Sequence, residues 1–236
     1  GVPSADEVHL VQSLLEHRLK VALSLRERLY RAPYYRLVFG ESDGLPGLVL
    51  DRYGDVVVGQ IATVGMEVMR AQLESAIDKL LAPRALVWKN DGGSRDLEQL
   101  PRQLLSGIGK IPDELTLEEG ELKFTVPLAT GQKTGWFYDQ TANREALRRF
   151  LPPGARVLDV CSYAGGWAIS ALRGDHDRPE RCKRLVALTG QPKDLCAREL
   201  QTRKLDSLLG DHPAAIATAN IGCLEHLRQA SAVPVR

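Results

Sequence analysis

The apolar residues at the start of the chain recur at steps of three and four, the spacing that an amphipathic α-helix requires. The residues on this face are Val8, Val11, Leu15, Leu19, Ala22, Leu25 and Leu29. A capping box precedes them, in which Ser4 caps a free amide and Glu7 reaches back. The pattern predicts a linker helix over residues 1–31 that packs against another part of the protein.

The opposite face of this helix is basic. It carries His17, Lys20, Arg28 and Arg31, flanked by Glu16 and Glu27. Such a stripe is either a solvated helix face or a local contact to nucleic-acid phosphates. The second interpretation leaves open an alternative function, that of an RNA-binding or interaction module without enzymatic activity.

Short apolar runs separated by turn residues predict a compact α/β domain over residues 32–127. The predicted strands are 37–39, 47–50, 56–62 and 85–89. A helix is predicted at 65–81, and its buried face comprises Val68, Met69, Leu73, Ile77, Leu80 and Leu81. No residues of this domain have catalytic spacing, and its carboxylates are expected at the solvent-exposed surface.

Residues 114–128 alternate between apolar and polar side chains on both sides of Glu119-Gly120. This alternation predicts a β-hairpin with one buried face. The residues expected on that face are Leu115, Leu117, Leu122 and Phe124.

Composition and charge narrow the function classes. Lysine and arginine number 31 against 30 aspartate and glutamate residues, so the net charge gives no argument for nucleic-acid or membrane binding, and any polyanion site is local. The four cysteines form no CxxC pair, which is typical of a reducing compartment, and no metal site is predicted. The sequence has no membrane-length apolar run and no signal-peptide plan. We therefore expect a globular cytoplasmic protein without membrane contact, of unspecified oligomeric state.

Polar, aromatic and glycine residues are crowded into the first 14 positions of the stretch 131–150, GQKTGWFYDQTANREALRRF. This composition is typical of a ligand-lining loop. Asp139 and Gln140 also begin a predicted helix. The apolar side of that helix is Ala146, Leu147 and Phe150. The residues alone leave two interpretations open: Asp139 and Trp136 line a ligand, or they are a helix N-cap and core filling.

Residues 157–172, VLDVCSYAGGWAISAL, predict a strand, a glycine turn and a helix, which usually open a nucleotide-binding α/β domain. The dinucleotide fingerprint GxGxxG is missing, since only Gly165-Gly166 follows Asp159. This disfavours a dinucleotide-dependent oxidoreductase. Methyltransferases that use S-adenosylmethionine (SAM) tolerate looser glycine patterns, because they bind a carboxylate and an adenosine.

Three ordered motifs together resemble one family. They are DGLPGLVLDRYGD at 43–55, KTG at 133–135 with DQ and NR at 139–144, and SYAGG at 162–166. This sequence resembles the bacterial class I SAM-dependent 23S rRNA cytosine-5 methyltransferases over residues 10–172. The resemblance implies an α/β fold in which a small central domain precedes a Rossmann-like methyltransferase domain, here residues 128–236, and it implies SAM as cofactor and ribosomal RNA as partner.

The same resemblance implies a cofactor site built from the second and third motifs. The residues implied are Lys133, Thr134, Gly135, Phe137, Asp139, Gln140, Arg144, Asp159, Ser162, Tyr163, Gly165 and Gly166. These would hold the methionine and adenosine ends of SAM.

The chain departs from the family at both ends. The family usually begins with a small PUA-type RNA-binding domain, which has no counterpart before residue 1. After Leu172 the predicted strand 184–188 is followed by Thr189-Gly190 where an acidic residue should bind the ribose, and 212–236 shows no convincing strand. The family's Asp-Pro-Pro-x-Phe loop and Ser-Cys-Ser segment are missing. We therefore expect a truncated or frame-shifted product that is inactive alone.

The missing Ser-Cys-Ser segment leaves the catalytic residues unassigned. Methylation at cytosine C5 requires a cysteine thiolate that adds to C6. Cys161 lies in the glycine turn at an aromatic position of the family pattern, and we do not assign it as the nucleophile. The other cysteines, Cys182, Cys196 and Cys223, have no family context.

Overall fold

The computed structural model describes residues 5–151, 155–160, 163–172, 182–188 and 215–217. The chain divides into two compact units, Gly1–Tyr138 and Asp139–Arg236, which we describe separately. Helices and strands alternate in both, so the predicted α/β class is confirmed.

The first unit contains seven strands and four α-helices within its described residues. Its helices are α1 Ala5–Leu29, α2 Val64–Val68, α3 Arg70–Leu81 and α4 Ser94–Leu97. Its strands are β1 Tyr34–Phe39, β2 Leu48–Tyr53, β3 Val56–Ile61, β4 Ala85–Asn90, β5 Gln103–Ile108, β6 Glu114–Glu119 and β7 Leu122–Pro127.

Five of these strands form one sheet in the order β1-β2-β3-β4-β5. Only the pair β3 and β4, which α2 and α3 connect, is parallel. The four predicted strands match β1 to β4, because alternating or continuous apolar runs identify them. Strand β5 and helix α4 were not predicted, since β5 exposes alternate residues at the sheet edge and begins with a polar residue.

The predicted helix 65–81 is interrupted at Met69, which caps both α2 and α3. Leu73 and Ile77 are buried as predicted. The prediction for Val68 is wrong, because this side chain is 75% exposed at the end of α2. The break changes the direction of the buried face, so one helical period does not describe both segments.

Helix α1 packs on the core through Leu15, Leu19 and Ala22, as its periodicity predicts. The prediction for Leu25 and Leu29 is wrong, since they are 49% and 65% exposed. Arg26 continues the buried line instead, because it lies four residues after Ala22. Its guanidinium pairs with Asp43 and donates to the Arg36 carbonyl oxygen at 3.2 Å. The predicted capping residue Ser4 lies outside the described residues, as does the side chain of Glu7.

Strands β6 and β7 form the predicted antiparallel hairpin. Leu115, Leu117 and Phe124 are buried on one face, whereas Leu122 at the turn is half-buried. The hairpin face is completed by Val126, which is fully buried.

The second unit contains a three-stranded parallel sheet. Its described elements are α5 Thr141–Ala146, β8 Ala155–Val160, α6 Gly166–Leu172, β9 Cys182–Leu188 and β10 Ala215–Ala217. Strand β8 is central, with β9 and β10 on its two sides, and α6 connects β8 to β9. This β-α-β arrangement is the Rossmann-like beginning that the glycine turn predicts.

The structure tests two predictions for the last third of the chain. Strand β9 contains the predicted strand 184–188, so that prediction is confirmed. The prediction that residues 212–236 contain no strand is wrong, because Ala215–Ala217 pair with Val157–Asp159 of β8. This strand has three residues, two of them alanine, and so gives no strand-like pattern in the sequence.

Candidate cofactor site

The loop that carries KTG is fixed to the first unit at its start. Lys89 is 2% exposed, and its ammonium group donates to the Gly131 carbonyl oxygen at 2.8 Å. It also pairs with the Asp91 carboxylate. A buried lysine needs such partners, and this one holds the start of the loop against the end of β4.

A buried carboxylate fixes the next part of the loop. Asp51 on β2 is fully buried and accepts from Arg36 Nε at 2.9 Å and from Arg36 Nη2 at 3.0 Å. The hydroxyl of Thr134 donates to the same carboxylate. Asp51 belongs to the first family-like motif and Thr134 to the second, so this contact physically joins the two motifs.

The expectation that the carboxylates of this domain are at the surface is therefore wrong for Asp51. Its burial follows from strand register, because Arg36 on β1 lies directly opposite Asp51 on β2. The sequence signal was an acidic residue inside the buried run LVLDRY, where a charge needs a partner.

Thr134, one of the predicted cofactor residues, has a structural contact. Its side chain is fully buried, and its hydroxyl donates inward to Asp51. The structure thus gives Thr134 a role in holding the loop on β2.

Gly135 and Trp136 pack inward beside Thr134. Gly135 has φ +126°, and a Cβ atom there would lie 2.8 Å from Leu115 Cδ1, so only glycine fits without a shift. Trp136 is 2% exposed, its ring centroid is 4.6 Å from that of Phe124, and its indole nitrogen donates to Glu119 at 3.1 Å. Of the two interpretations of Trp136, core filling is the one that these contacts support.

Lys133 and Phe137 form a pair on the outer side of the loop. The Lys133 ammonium nitrogen lies 4.6 Å from the centroid of the half-buried Phe137 ring. Lys133 is exposed and has φ +50°, an uncommon conformation for a residue other than glycine. These two predicted site residues are therefore neighbours at the surface of the first unit.

Tyr138 ends the first unit and was not predicted as a site residue. Its hydroxyl donates to the Arg52 carbonyl oxygen at 2.8 Å, and its ring centroid lies 5.4 Å from that of Tyr53. Burial raises the pKa of Tyr138 well above its ordinary value, so the hydroxyl stays protonated and keeps donating. Tyr138 thus adds another attachment of the loop to β2.

In the second unit, the DQ and NR residues surround the start of α5. The helix is capped by Gln140 without a side-chain cap bond, and Asp139 precedes it in a short 3₁₀ turn. The interpretation of Asp139 as the helix N-cap is therefore wrong. Asp139 is exposed, whereas Arg144 is 3% exposed and donates to the Thr141 hydroxyl at 3.3 Å.

The polar pair Gln140 and Asn143 lies on the first turn of α5. The Asn143 side-chain amide donates to the Gln140 side-chain oxygen at 3.0 Å. The predicted apolar side continues past the helix into a 3₁₀ turn, where Leu147 is buried but Phe150 is 55% exposed. The prediction that Phe150 packs on this side is therefore wrong, because the 3₁₀ turn changes the helical period.

The glycine turn lies between β8 and α6, as predicted. Tyr163 and Gly165 have φ +50° and +73°, which gives the tight change of direction at the carboxyl end of the central strand. The Gly165 carbonyl oxygen accepts from the Ile169 amide at 2.8 Å, and the buried Gly166 accepts from the Ser170 hydroxyl at 2.7 Å. In open α/β sheets, ligands bind outside the carboxyl ends of the strands.

The remaining predicted residues are placed only in part. Asp159 lies in β8 and pairs with Ala187 and Ala217 through the strand register. Ser162 lies outside the described residues. The same is true of Cys161, Cys196 and Cys223, whereas Cys182 begins β9.

Two features are absent from the described part of the chain. Within those residues, no group of three or more His, Cys, Asp or Glu side chains could hold a metal ion. Over the same ranges, we find no helix with the length and apolar character of a membrane span.

Comparison with known proteins identifies relatives of this chain. Over 175 residues it is 37% identical to the ribosomal RNA large subunit methyltransferase I of Shigella boydii serotype 18, which covers 73% of this chain and 42% of the relative. The matched segment is homologous to this methyltransferase. The chain spans less than half the length of this curated relative. No protein-family model matches the chain.

Solved structures support the fold. The chain is similar to a putative SAM-dependent methyltransferase from Streptococcus mutans, with a TM-score of 0.66 and 16% identity over 87% of this chain and 57% of that one. It has the same TM-score to a putative methyltransferase complexed with SAH, at 17% identity and with the same coverage. At this identity the likeness shows the fold alone, and it confirms the predicted Rossmann-like class.

Proposed function

We propose that this chain supplies the cofactor-binding part of a SAM-dependent methyltransferase that acts on large-subunit ribosomal RNA. The observation that supports this most is the 37% identity to the Shigella enzyme over 73% of the chain. An open turn at Tyr163 and Gly165, after the central strand of a parallel sheet, agrees with it. An rRNA substrate implies the cytoplasm as the compartment.

The residues present suit SAM. The two positive φ angles of the glycine turn allow the backbone to approach a ligand closely. Asp139 is exposed beside the half-buried Gln140, so a carboxylate and an amide are available for the amino and hydroxyl groups of the cofactor. When bound, SAM supplies an electrophilic methyl group on its sulfonium. We propose Gly165, Gly166, Asp139 and Gln140 as direct contacts.

The other predicted residues complete the proposal with different roles. Lys133 and Phe137 are an accessible cation and ring on the loop of the first unit, and Thr134 and Gly135 pack inside that loop. We propose these four as cofactor residues from the resemblance of the motif. Arg144 is buried against Thr141 and would hold the start of α5. Asp159, Ser162 and Tyr163 stay proposals that rest on the resemblance of the motif.

A more specific proposal concerns the methylated atom, which we propose to be C5 of a cytosine in 23S rRNA. This atom becomes nucleophilic only after a thiolate adds to C6, and a base must later remove the C5 proton. None of the four cysteines stands in a Ser-Cys-Ser segment. We therefore propose that these 236 residues bind SAM but do not transfer its methyl group.

A tritium assay tests both parts of this proposal. With SAM labelled in the methyl group and unmodified large-subunit rRNA, we expect the chain to retain label on a filter, in competition with SAH, and to transfer only background label to the RNA. The full-length Shigella enzyme is the positive control. Absence of retained label would contradict the cofactor proposal. Transfer that Cys161→Ala abolishes would contradict the predicted inactivity and identify Cys161 as the nucleophile.

The alternative is an RNA-binding module without catalysis, which one observation favours. His17, Lys20 and Arg28 are exposed on α1, and Arg31 is exposed two residues after the helix ends. Under this alternative, RNA binding falls steeply with salt and is lost on charge reversal at Lys20, Arg28 and Arg31, whereas no SAM is retained. Retention of SAM, together with RNA binding that these substitutions leave unchanged, would exclude the non-catalytic alternative.

A further inference from the structure

Two tyrosine rings stack on each other at the connection from α1 to β1. Tyr30 directly follows α1, its ring centroid lies 5.3 Å from that of Tyr35 on β1, and the ring planes differ by 28°. Tyr35 is 2% exposed, whereas Tyr30 is 45% exposed although Tyr35 covers one side of its ring. The two rings, which we call the tyrosine platform, therefore comprise one ring held inside the protein and one ring that a ligand can reach.

The inner ring of the platform is fixed at its hydroxyl. Arg52 on β2 donates to the Tyr35 hydroxyl from Nη1 at 3.2 Å and to the Gly54 carbonyl oxygen from Nε at 3.1 Å. Tyr35 and Arg52 are also opposite each other in the register of β1 and β2, so their side chains lie on the same face of the sheet. The outer ring, Tyr30, thus stacks on a rigid support.

Arginine residues without an acidic partner surround the platform. Six of the ten arginines in the first unit pair with its carboxylates: Arg26, Arg36, Arg70, Arg84, Arg95 and Arg102. Among the described residues, the other four have no such partner, and three of them adjoin the platform. Arg28 and Arg31 flank Tyr30 in the sequence and are exposed, and Arg52 contacts Tyr35.

The neighbouring acidic residues do not cancel this charge. Asp51 and Asp55, which lie beside Arg52 in the sequence, pair with Arg36 and Arg84. This leaves the exposed Glu27 as the acidic residue next to the three unpaired arginines. The surface around the platform therefore carries a net positive charge, which attracts anionic ligands.

A stacking ring beside unpaired positive charges suits a single-stranded nucleic acid. Each unpaired base offers a flat π-face to an aromatic ring, and the adjoining phosphates are attracted by arginine. In a duplex the bases already stack on one another, so the ring has no internal base to bind. An acidic peptide would use the charges but would leave the ring without a stacking partner.

We propose that the tyrosine platform is a contact for single-stranded RNA, in which one unpaired base stacks on Tyr30 and the adjoining phosphate pairs with Arg31. The identity of this ligand rests on the proposed function, whereas the residues of the platform are not among the proposed SAM contacts. The platform is also distinct from the middle of the basic face of α1. Lys20 precedes Tyr30 by ten residues, which is about 15 Å along a helix.

Fluorescence anisotropy with labelled hexauridylate tests the stacking contact in the 236-residue chain. Tyr30→Leu removes the ring and should weaken hexauridylate binding about tenfold, the scale of one lost stacking contact, whereas Tyr30→Phe should keep the affinity. Binding of an RNA duplex should be the same in all three chains. Phe39→Leu is the matched control, because Phe39 is 54% exposed but the Arg36 guanidinium beside its ring is paired with Asp51.

The salt dependence of hexauridylate binding tests the phosphate contact. Arg31→Gln should make the slope of log K against log salt shallower by about 0.7, the release of one counterion fewer from a single strand. Lys20→Gln is the matched control, since Lys20 is an exposed cation outside the platform and its loss should leave the slope unchanged.

Three results would each overturn the proposal: equal affinities of Tyr30→Leu and Phe39→Leu for hexauridylate, an equal loss of duplex binding in Tyr30→Leu, or equal slopes for Arg31→Gln and Lys20→Gln. Displacement of the probe by polyglutamate as readily as by unlabelled hexauridylate would instead identify an acidic protein as the ligand. Calorimetry with SAM on the same samples separates the two proposals. SAM binding without hexauridylate binding refutes the platform alone, and Tyr30-dependent hexauridylate binding without SAM binding refutes the cofactor proposal alone.

Discussion

Asp51→Ala is expected to lower the free energy of unfolding of the first unit by about 3 kcal/mol. The substitution leaves the Arg36 guanidinium and the Thr134 hydroxyl without the carboxylate that both contact. Breaking a buried ion pair by removing one partner costs roughly 3–5 kcal/mol, and the lower end applies because the Arg36 side chain keeps 23% exposure.

Urea-induced unfolding followed by tryptophan fluorescence measures this effect. Asp55→Ala is the matched control, since Asp55 pairs with Arg84 at 3.0 Å but the two side chains are 64% and 61% exposed. An exposed pair of this kind contributes roughly 0–1 kcal/mol, so the control should stay within about 0.5 kcal/mol of the parent chain. Similar losses for the two variants would show that Asp51 does not hold the loop.

Gly59→Ala adds only one methyl group, yet it is expected to lower the free energy of unfolding of the first unit by about 2–3 kcal/mol. A Cβ atom at this position would lie 2.3 Å from Trp88 Cζ3 and 2.9 Å from Leu50 Cδ2. Trp88 is fully buried, and its indole nitrogen donates to Glu74 at 2.8 Å, so the ring has no free space to move into. Overpacking of this kind costs roughly 1–3 kcal/mol, and the rigid ring places this case at the upper end.

Gly65→Ala is the control for the added methyl group. A Cβ atom at Gly65 meets no atom within 4 Å, and the residue lies in α2, so alanine should stabilise by about 0.5 kcal/mol. In a Trp88→Leu background the Gly59→Ala penalty should fall below about 1 kcal/mol, because the ring is gone. An unchanged penalty in that background would contradict the steric explanation.

The sequence predicted those elements whose burial is regular. Strands β1 to β4 and the hairpin were found because apolar residues alternate or run together. Val68 and Leu25 were mispredicted as buried for one reason. Each lies near the end of a helix, and the apolar periodicity does not show where the helix stops packing against the core. The short strand Ala215–Ala217 is defined by its pairing with β8 and by nothing in its own residues.

The candidate site was predictable as a set of motifs but not as a set of contacts. Thr134 and Asp51 are 83 positions apart, and their hydrogen bond depends on the register that sets Arg36 opposite Asp51. A one-residue slip of β1 would move Arg36 to the other face of the sheet. The resemblance indicated that these residues matter together, and the structure supplies the reason for Thr134, which is attachment of the loop.

The most direct measurement of the central proposal is calorimetric titration of SAM into the 236-residue chain and its Gly165→Val variant. Gly165 has φ +73°, where a β-branched residue is a genuine outlier, so valine should distort the turn. Gly65→Val is the control, because a side chain there meets open space. We predict saturable binding to the parent and control chains and a loss of at least about tenfold in Gly165→Val. No binding to the parent chain, or equal binding to the Gly165→Val variant, would contradict the account.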